Sequence, residues 1–161
     1  MTAVATNRAR VTTPGDREIH VERIFNASRE RVWRAFTEPD LIKQWWGRGN
    51  PLVIEKHEFE RGGHWRFVEH AKEGVHGFEG RFRDIKPMDR IDRTFEWDGM
   101  PGYVIIESAT FEDLGDGRTK LTTRSLFYNQ DERDGMLKSG MEGGMNESYE
   151  ALDRLLTTVS S

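Results

Sequence analysis

The chain has 161 residues, of which 35% are hydrophobic and 32% charged, with 24 Lys and Arg against 28 Asp and Glu for a net charge of −4. That length suits one domain with a single core, and the lack of any cysteine excludes a disulfide framework, a thiolate nucleophile and a cysteine metal site. The charges are interspersed without a basic run, which argues against a nucleic-acid partner; no apolar stretch approaches the ~20 residues that span a bilayer and no signal-peptide core stands near the start, so a cytoplasmic protein is expected.

Residues 1–15, MTAVATNRARVTTPG, are small, polar and without periodicity, and read as a disordered tail ahead of a single domain at 16–161. Glu18 to Phe25 alternates Ile19, Val21 and Phe25 on one face, a first strand. Ser28 is a helix N-cap for a short amphipathic helix carrying Val32, Trp33, Ala35 and Phe36. Thr37 ends that helix and can cap a second, with Pro39 in its first turn and Leu41, Ile42, Trp45 and Trp46 on its apolar side. Adjacent residues on a helix point about 100° apart, so Trp45 and Trp46 divide the work: one anchors the helix and the other rims whatever lies beside it.

Turn signals at Arg61-Gly62-Gly63, Lys72-Glu73-Gly74, Lys86 to Asp89, Asp98 to Gly102 and Gly115 to Gly117 then divide the chain into six more β-rich segments, seven strands in all. From about Asp131 to Thr158 the period changes to that of a long amphipathic helix, with Met141, Met145, Tyr149, Leu152, Leu155 and Leu156 on its apolar side. Its first half holds Gly135, Gly140, Gly143 and Gly144, which points to a close approach to the sheet or a flexible gate.

Register across the hairpins gives a candidate site. If the Asp98 to Gly102 loop pairs Trp97 with Tyr103, Phe95 lies opposite Ile105 and Arg93 opposite Glu107, on one face. Continued in both directions, the same face gains Phe78, Gly80 and Phe82, and Thr123, Ser125 and Phe127; Trp46, Trp65, Phe67, Met141 and Met145 add further walls. Aromatic rings around one ion pair are the composition of a small-molecule pocket. The expected ligand contacts are therefore Trp46, Phe67, Phe78, Phe82, Arg93, Phe95, Trp97, Tyr103, Glu107, Phe127, Met141 and Met145. No catalytic residue, cofactor or metal is assigned: His64, His70 and His76 do not converge in a hairpin, and no nucleophile elbow, phosphate loop or dinucleotide fingerprint occurs. His57 with Glu55, Glu58 or Glu69 is the one acid–base alternative.

The segment RIFNASRERVWRAFTEPDLIKQWWG, followed by ERGGHWRF, GRFRDIKPMDR and GMEGGMNESYEALDRLL, resembles the activator of Hsp90 ATPase homologue-like branch of the START/Bet v1-like superfamily. The resemblance implies an α+β helix-grip fold: a curved seven-stranded antiparallel sheet around a long C-terminal helix, two short helices after strand 1, and a cavity between sheet and helix. It departs from the family at Ser28, often proline, and at His57, usually apolar. The function expected is binding of a small hydrophobic or amphipathic molecule; a homodimer is a separate expectation for its assembly. A polyketide cyclase or hydrolase using a polar pair in the cavity, or an Hsp90-related co-chaperone, are the alternatives the resemblance leaves.

Overall fold

Helix α1 (Arg29–Thr37) starts as the sequence suggests, with Ser28 Oγ accepting the Arg31 backbone N–H at 3.3 Å. This is a computed structural model, and it describes residues 8–160. Helix α2 (Pro39–Ile42) has proline at its first position, but its cap is Glu38; the Thr37 hydroxyl instead donates back to the Trp33 carbonyl at 2.9 Å. Because α2 stops at Ile42, Trp45 and Trp46 stand on the turns that follow rather than on the helix.

The strands form one antiparallel sheet of eight rather than seven, in the order β1-β2-β8-β7-β6-β5-β4-β3. They are β1 (Arg10–Thr12), β2 (Glu18–Phe25), β3 (Leu52–His57), β4 (His64–Ala71), β5 (Gly74–Lys86), β6 (Arg90–Trp97), β7 (Ile105–Asp113) and β8 (Thr119–Leu126). The additional strand comes from the segment expected to be a tail. Val11 pairs with Val21, and Ala9 is buried with its N–H on Asn146 Oδ1 at 3.2 Å. Three residues at a sheet edge are too few to print a period-two pattern, so their order comes from tertiary contacts. The Met1 to Asn7 part of that tail lies outside the described residues.

The long terminal helix is also two elements. Helix α3 (Gln130–Lys138) ends at Ser139, and Gly140 takes a left-handed φ of 83° before α4 (Met141–Leu156) begins. A residue with a Cβ resists that conformation, which is why glycine marks the break. Arg133 on α3 is buried and donates to the Glu18 and Gly15 carbonyls, docking α3 on the chain leading into β2.

Helix α4 lies across one face of the sheet, burying Tyr149, Leu152, Leu155 and Leu156. That inner face carries Ile19, Val21 and Phe25 of β2, Trp65 and Phe67 of β4, Phe82 of β5, Phe111 of β7 and Leu121 of β8, all buried. Arg23 shares the face; it is 4% exposed, donates to both carboxylate oxygens of Asp153 on α4 at 2.6 and 2.7 Å, and lies 4.7 Å from the Phe25 ring centre. Arg31 closes the far end, its side chain bonding the Leu156 and Val159 carbonyls and tying α1 to the end of α4. No helix among the described residues is long and apolar enough to cross a membrane.

Candidate binding site on the inner face of the sheet

The β6–β7 register places Arg93 opposite Glu107 and Phe95 opposite Ile105, as the hairpin count requires. Arg93 Nε donates to Glu107 Oε1 at 3.1 Å. Across the next ladder Ser125 is opposite Glu107 and Thr123 opposite Ala109, while Phe82 on β5 is opposite Arg93. The ladder does not continue to Trp97 and Tyr103: pairing of β6 with β7 ends at Phe95 and Ile105, and the chain from 98 to 104 forms the hairpin tip. Trp97 and Tyr103 are therefore exposed, at 37% and 47%. The Arg93 and Glu107 side chains are 21% and 29% accessible, half-open despite facing α4.

A glycine sets up the floor beneath the pair. At Gly80 and Arg81 the β5–β6 ladder is interrupted: the Arg81 N–H turns to Thr94 Oγ1 at 2.8 Å, and the Thr94 carbonyl accepts the Trp65 indole N–H at 3.1 Å. A Cβ on Gly80 would lie 1.9 Å from the Thr94 oxygen and 2.8 Å from Trp65 Nε1. Only a bare α-carbon lets the indole of β4 reach across β5 to the backbone of β6. Trp65 is fully buried, and Arg93 stacks on it with its guanidinium carbon 4.0 Å from the ring centre. The cation–π contact and the Glu107 hydrogen bond together fix the plane of the guanidinium.

The remaining candidates fall into three groups. Phe67, Phe82 and Phe127 are closed into the core. Trp46, Phe78, Phe95, Met141 and Met145 are half-buried, with Trp46 edge-on to Phe67 and Phe78 at 5.3 and 5.2 Å and Phe78 5.5 Å from Phe95. Trp97 and Tyr103 are the exposed pair. Trp45 is the anchor of the two adjacent tryptophans, 4% exposed, with its indole N–H on the Ala35 carbonyl at 2.8 Å.

Two polar side chains, Tyr149 and His57, complete the surroundings. Tyr149 projects from α4, edge-on to Phe25; burial pushes its phenol well up, and the charge of Glu107 adds to the rise. His57 Nε2 meets the Thr37 carbonyl at 2.7 Å, which makes that nitrogen the N–H donor and leaves the buried Nδ1 as an acceptor without a hydrogen-bond partner. Burial holds the ring below the usual histidine range; the Thr37 bond opposes this, and Arg93 adds to the lowering. His57 makes no acid–base pair with the expected carboxylates. Glu55 goes to Arg66, Glu58 to the His64 N–H, and Glu69 to Arg48 and Asn50.

At the rim, Glu69 is 3% exposed and its Oε2 accepts from Arg48 Nε at 2.9 Å and Asn50 Nδ2 at 2.6 Å. Arg48 adopts a left-handed φ of 60° between two positive-φ glycines, donates its backbone N–H to Ser148 Oγ on α4, and bonds Glu73 at 2.9 Å. The arginine bridges α4 to the sheet, and its stem runs 3.0 Å from where a Gly144 Cβ would stand. His64 and His76 pair separately with Glu79 and Glu73, while His70 is exposed.

Two depressions are lined by residues other than Arg93 and Glu107. One, about 510 Å³, is an open groove between α2 and β3 that shares His57 with the surroundings of the pair and is otherwise lined by residues such as Pro39, Lys43 and Val53; the other, about 210 Å³, lies on the opposite sheet face at Ile106, Arg124 and Leu126. Trp65, Gly80, Tyr149 and Arg48 were not singled out by sequence reasoning as parts of a polar site. The available signal was Gly80 inside the apolar alternation of Phe78 to Phe82, which marks a close approach of other atoms.

An antiparallel sheet covered on one face by a C-terminal helix, with two short helices between its second and third strands, is the architecture of the helix-grip class. The chain belongs to the activator of Hsp90 ATPase homolog 1-like family, whose model matches residues 26–157. Among solved structures it is similar to a protein from Rhodobacter sphaeroides at 25% identity, covering 95% of this chain and 100% of that one with a TM-score of 0.86. A protein from Arthrobacter aurescens gives 25% identity, 94% and 93% coverage and a TM-score of 0.83; protein CV1439 from Chromobacterium violaceum gives 26%, 86% and 96%, and 0.73. No curated protein matches the chain.

Proposed function

We propose that the protein binds a small, largely apolar molecule between the inner face of the sheet and α4, with the ligand's polar end at Arg93 and Glu107. The observation that carries this reading is an ion pair 21% and 29% accessible on the face that α4 covers, a face that also carries half-buried Phe78 and Phe95, with half-buried Met145 on α4. A pair kept only for stability gains little in such a place, because desolvation offsets most of its attraction. Half-exposed rings and flexible methionines beside a few oriented polar groups are instead what a small-molecule site requires. Membership of the family and the helix-grip architecture support the same reading.

Native mass spectrometry of the purified protein, followed by solvent extraction, tests it. The expected result is a bound species that is released on denaturation, or calorimetric binding of apolar probes by the ligand-free protein. A protein that carries nothing and binds neither aromatic nor alkyl probes would end the proposal.

A further inference from the structure

The Arg93–Glu107 pair is only partly used by the protein. Nε of Arg93 and Oε1 of Glu107 meet each other, and among the described residues neither side chain makes another hydrogen bond. The two terminal nitrogens of a guanidinium stacked on Trp65, and the second oxygen of Glu107, are thus left without a hydrogen-bond partner among the described residues. From this we infer that the ligand's head group is uncharged and carries a hydrogen-bond acceptor next to a donor, as in a carboxamide: its acceptor takes an N–H of Arg93 and its donor gives to Glu107 Oε2. The inference rests on the binding function proposed above and specifies the chemistry of the polar end.

Charge balance separates this head group from the alternatives. An anionic head is drawn to Arg93 but set against Glu107 at a similar distance, and a cationic head meets the reverse. Either also loses its hydration on entering a ring-lined space, a cost a neutral amide largely avoids. Arg23 is already matched by Asp153, His57 is held neutral by burial, and the Tyr149 phenol is kept protonated. Ser125, opposite Glu107, is a hydroxyl that donates or accepts without adding charge. A carboxylate-binding site would instead present the arginine without a paired acid.

Calorimetry with one apolar body and four heads tests the assignment: naphthalene-2-carboxamide, 2-naphthoate, 2-naphthylmethylamine and naphthalene itself, with octanamide, octanoate and octylamine as a second set. The carboxamides should bind about tenfold or more tighter than naphthalene and than either charged analogue, the worth of one or two well-placed hydrogen bonds. Glu107→Gln removes the negative charge and keeps the shape, so it should shift the preference toward the carboxylates by about tenfold. Equal affinity for all heads, or a carboxylate preference already present with Glu107 intact, overturns the head-group assignment and leaves the apolar site standing. Failure of every compound in both sets overturns the binding function itself. The unmutated protein alone decides between these outcomes, whatever the stability of the variant.

Discussion

Gly80→Ala is the sharpest perturbation of the site that leaves its charged residues untouched. The added methyl would stand 1.9 Å from the Thr94 carbonyl oxygen, 2.6 Å from its carbon and 2.8 Å from Trp65 Nε1. Two of these atoms are backbone and the third belongs to a fully buried indole, so no flexible side chain can swing aside. Overpacking of this kind costs about 1 to 3 kcal/mol, and losing the Trp65 to Thr94 hydrogen bond adds about 1 kcal/mol. The expected destabilisation is about 2 to 4 kcal/mol, read from urea unfolding followed by tryptophan fluorescence, with the slope against urea unchanged. Gly135→Ala is the control: nothing lies within 4 Å of its Cβ and it sits inside α3, so it should stabilise by about 0.5 to 1 kcal/mol. A Gly80→Ala protein within about 0.5 kcal/mol of the original would refute the close approach, and with it the fixed floor on which Arg93 rests.

Three further outcomes follow from the geometry. Asp153→Asn leaves the buried Arg23 guanidinium without its counter-charge and should cost about 3 kcal/mol in denaturant unfolding, more than Arg23→Met, which removes the charge altogether. Gly140→Ala should destabilise by about 1 kcal/mol, opposite in sign to Gly135→Ala, because its φ is 83°. For His57 burial holds the folded-state pKa below the usual histidine value of 6.5, so as pH falls through 6.5 the unfolded chain takes up a proton that the folded one resists. Thermal stability should therefore drop on acidification just below pH 6.5, and His57→Phe should flatten that step. The carboxylates held low by hydrogen bonds, such as Glu73 at about 2 bonded by Arg48, act in a separate window below their usual value of 4.5, where stability falls as they protonate.

The hairpins were the most legible part of the chain, because short turns with glycine fix antiparallel register. Counting outward from the Asp98 to Gly102 loop placed Arg93 against Glu107 and Phe95 against Ile105 correctly. The same count failed at Trp97 and Tyr103, since the loop is longer than the turn signal alone implies and β7 starts only at Ile105. Bulges between Ile54 and Lys56 and between Phe82 and Asp84 are invisible to a strict period of two. Strand β1 was missed because its order depends on Ala9 reaching Asn146, 137 residues away. The run of glycines signalled a weak point in the terminal helix, yet only backbone geometry shows that Gly140 divides it in two. At the site, the charge pair was readable from register. The Trp65 shelf was not, because it depends on one indole crossing a neighbouring strand.

Methionine-methyl NMR offers the most direct test of where the ligand sits. Met145 packs against the buried core from α4, with Met141 one turn before it, whereas Met88 lies on a turn and Met100 on the exposed hairpin tip. On titration with naphthalene-2-carboxamide, the Met145 methyl, and to a lesser degree that of Met141, should shift in saturable fashion while those of Met88 and Met100 stay in place. Binding seen by calorimetry with no change at Met145 would put the ligand elsewhere, the outer groove beside β3 included, and would contradict a site between the sheet and α4.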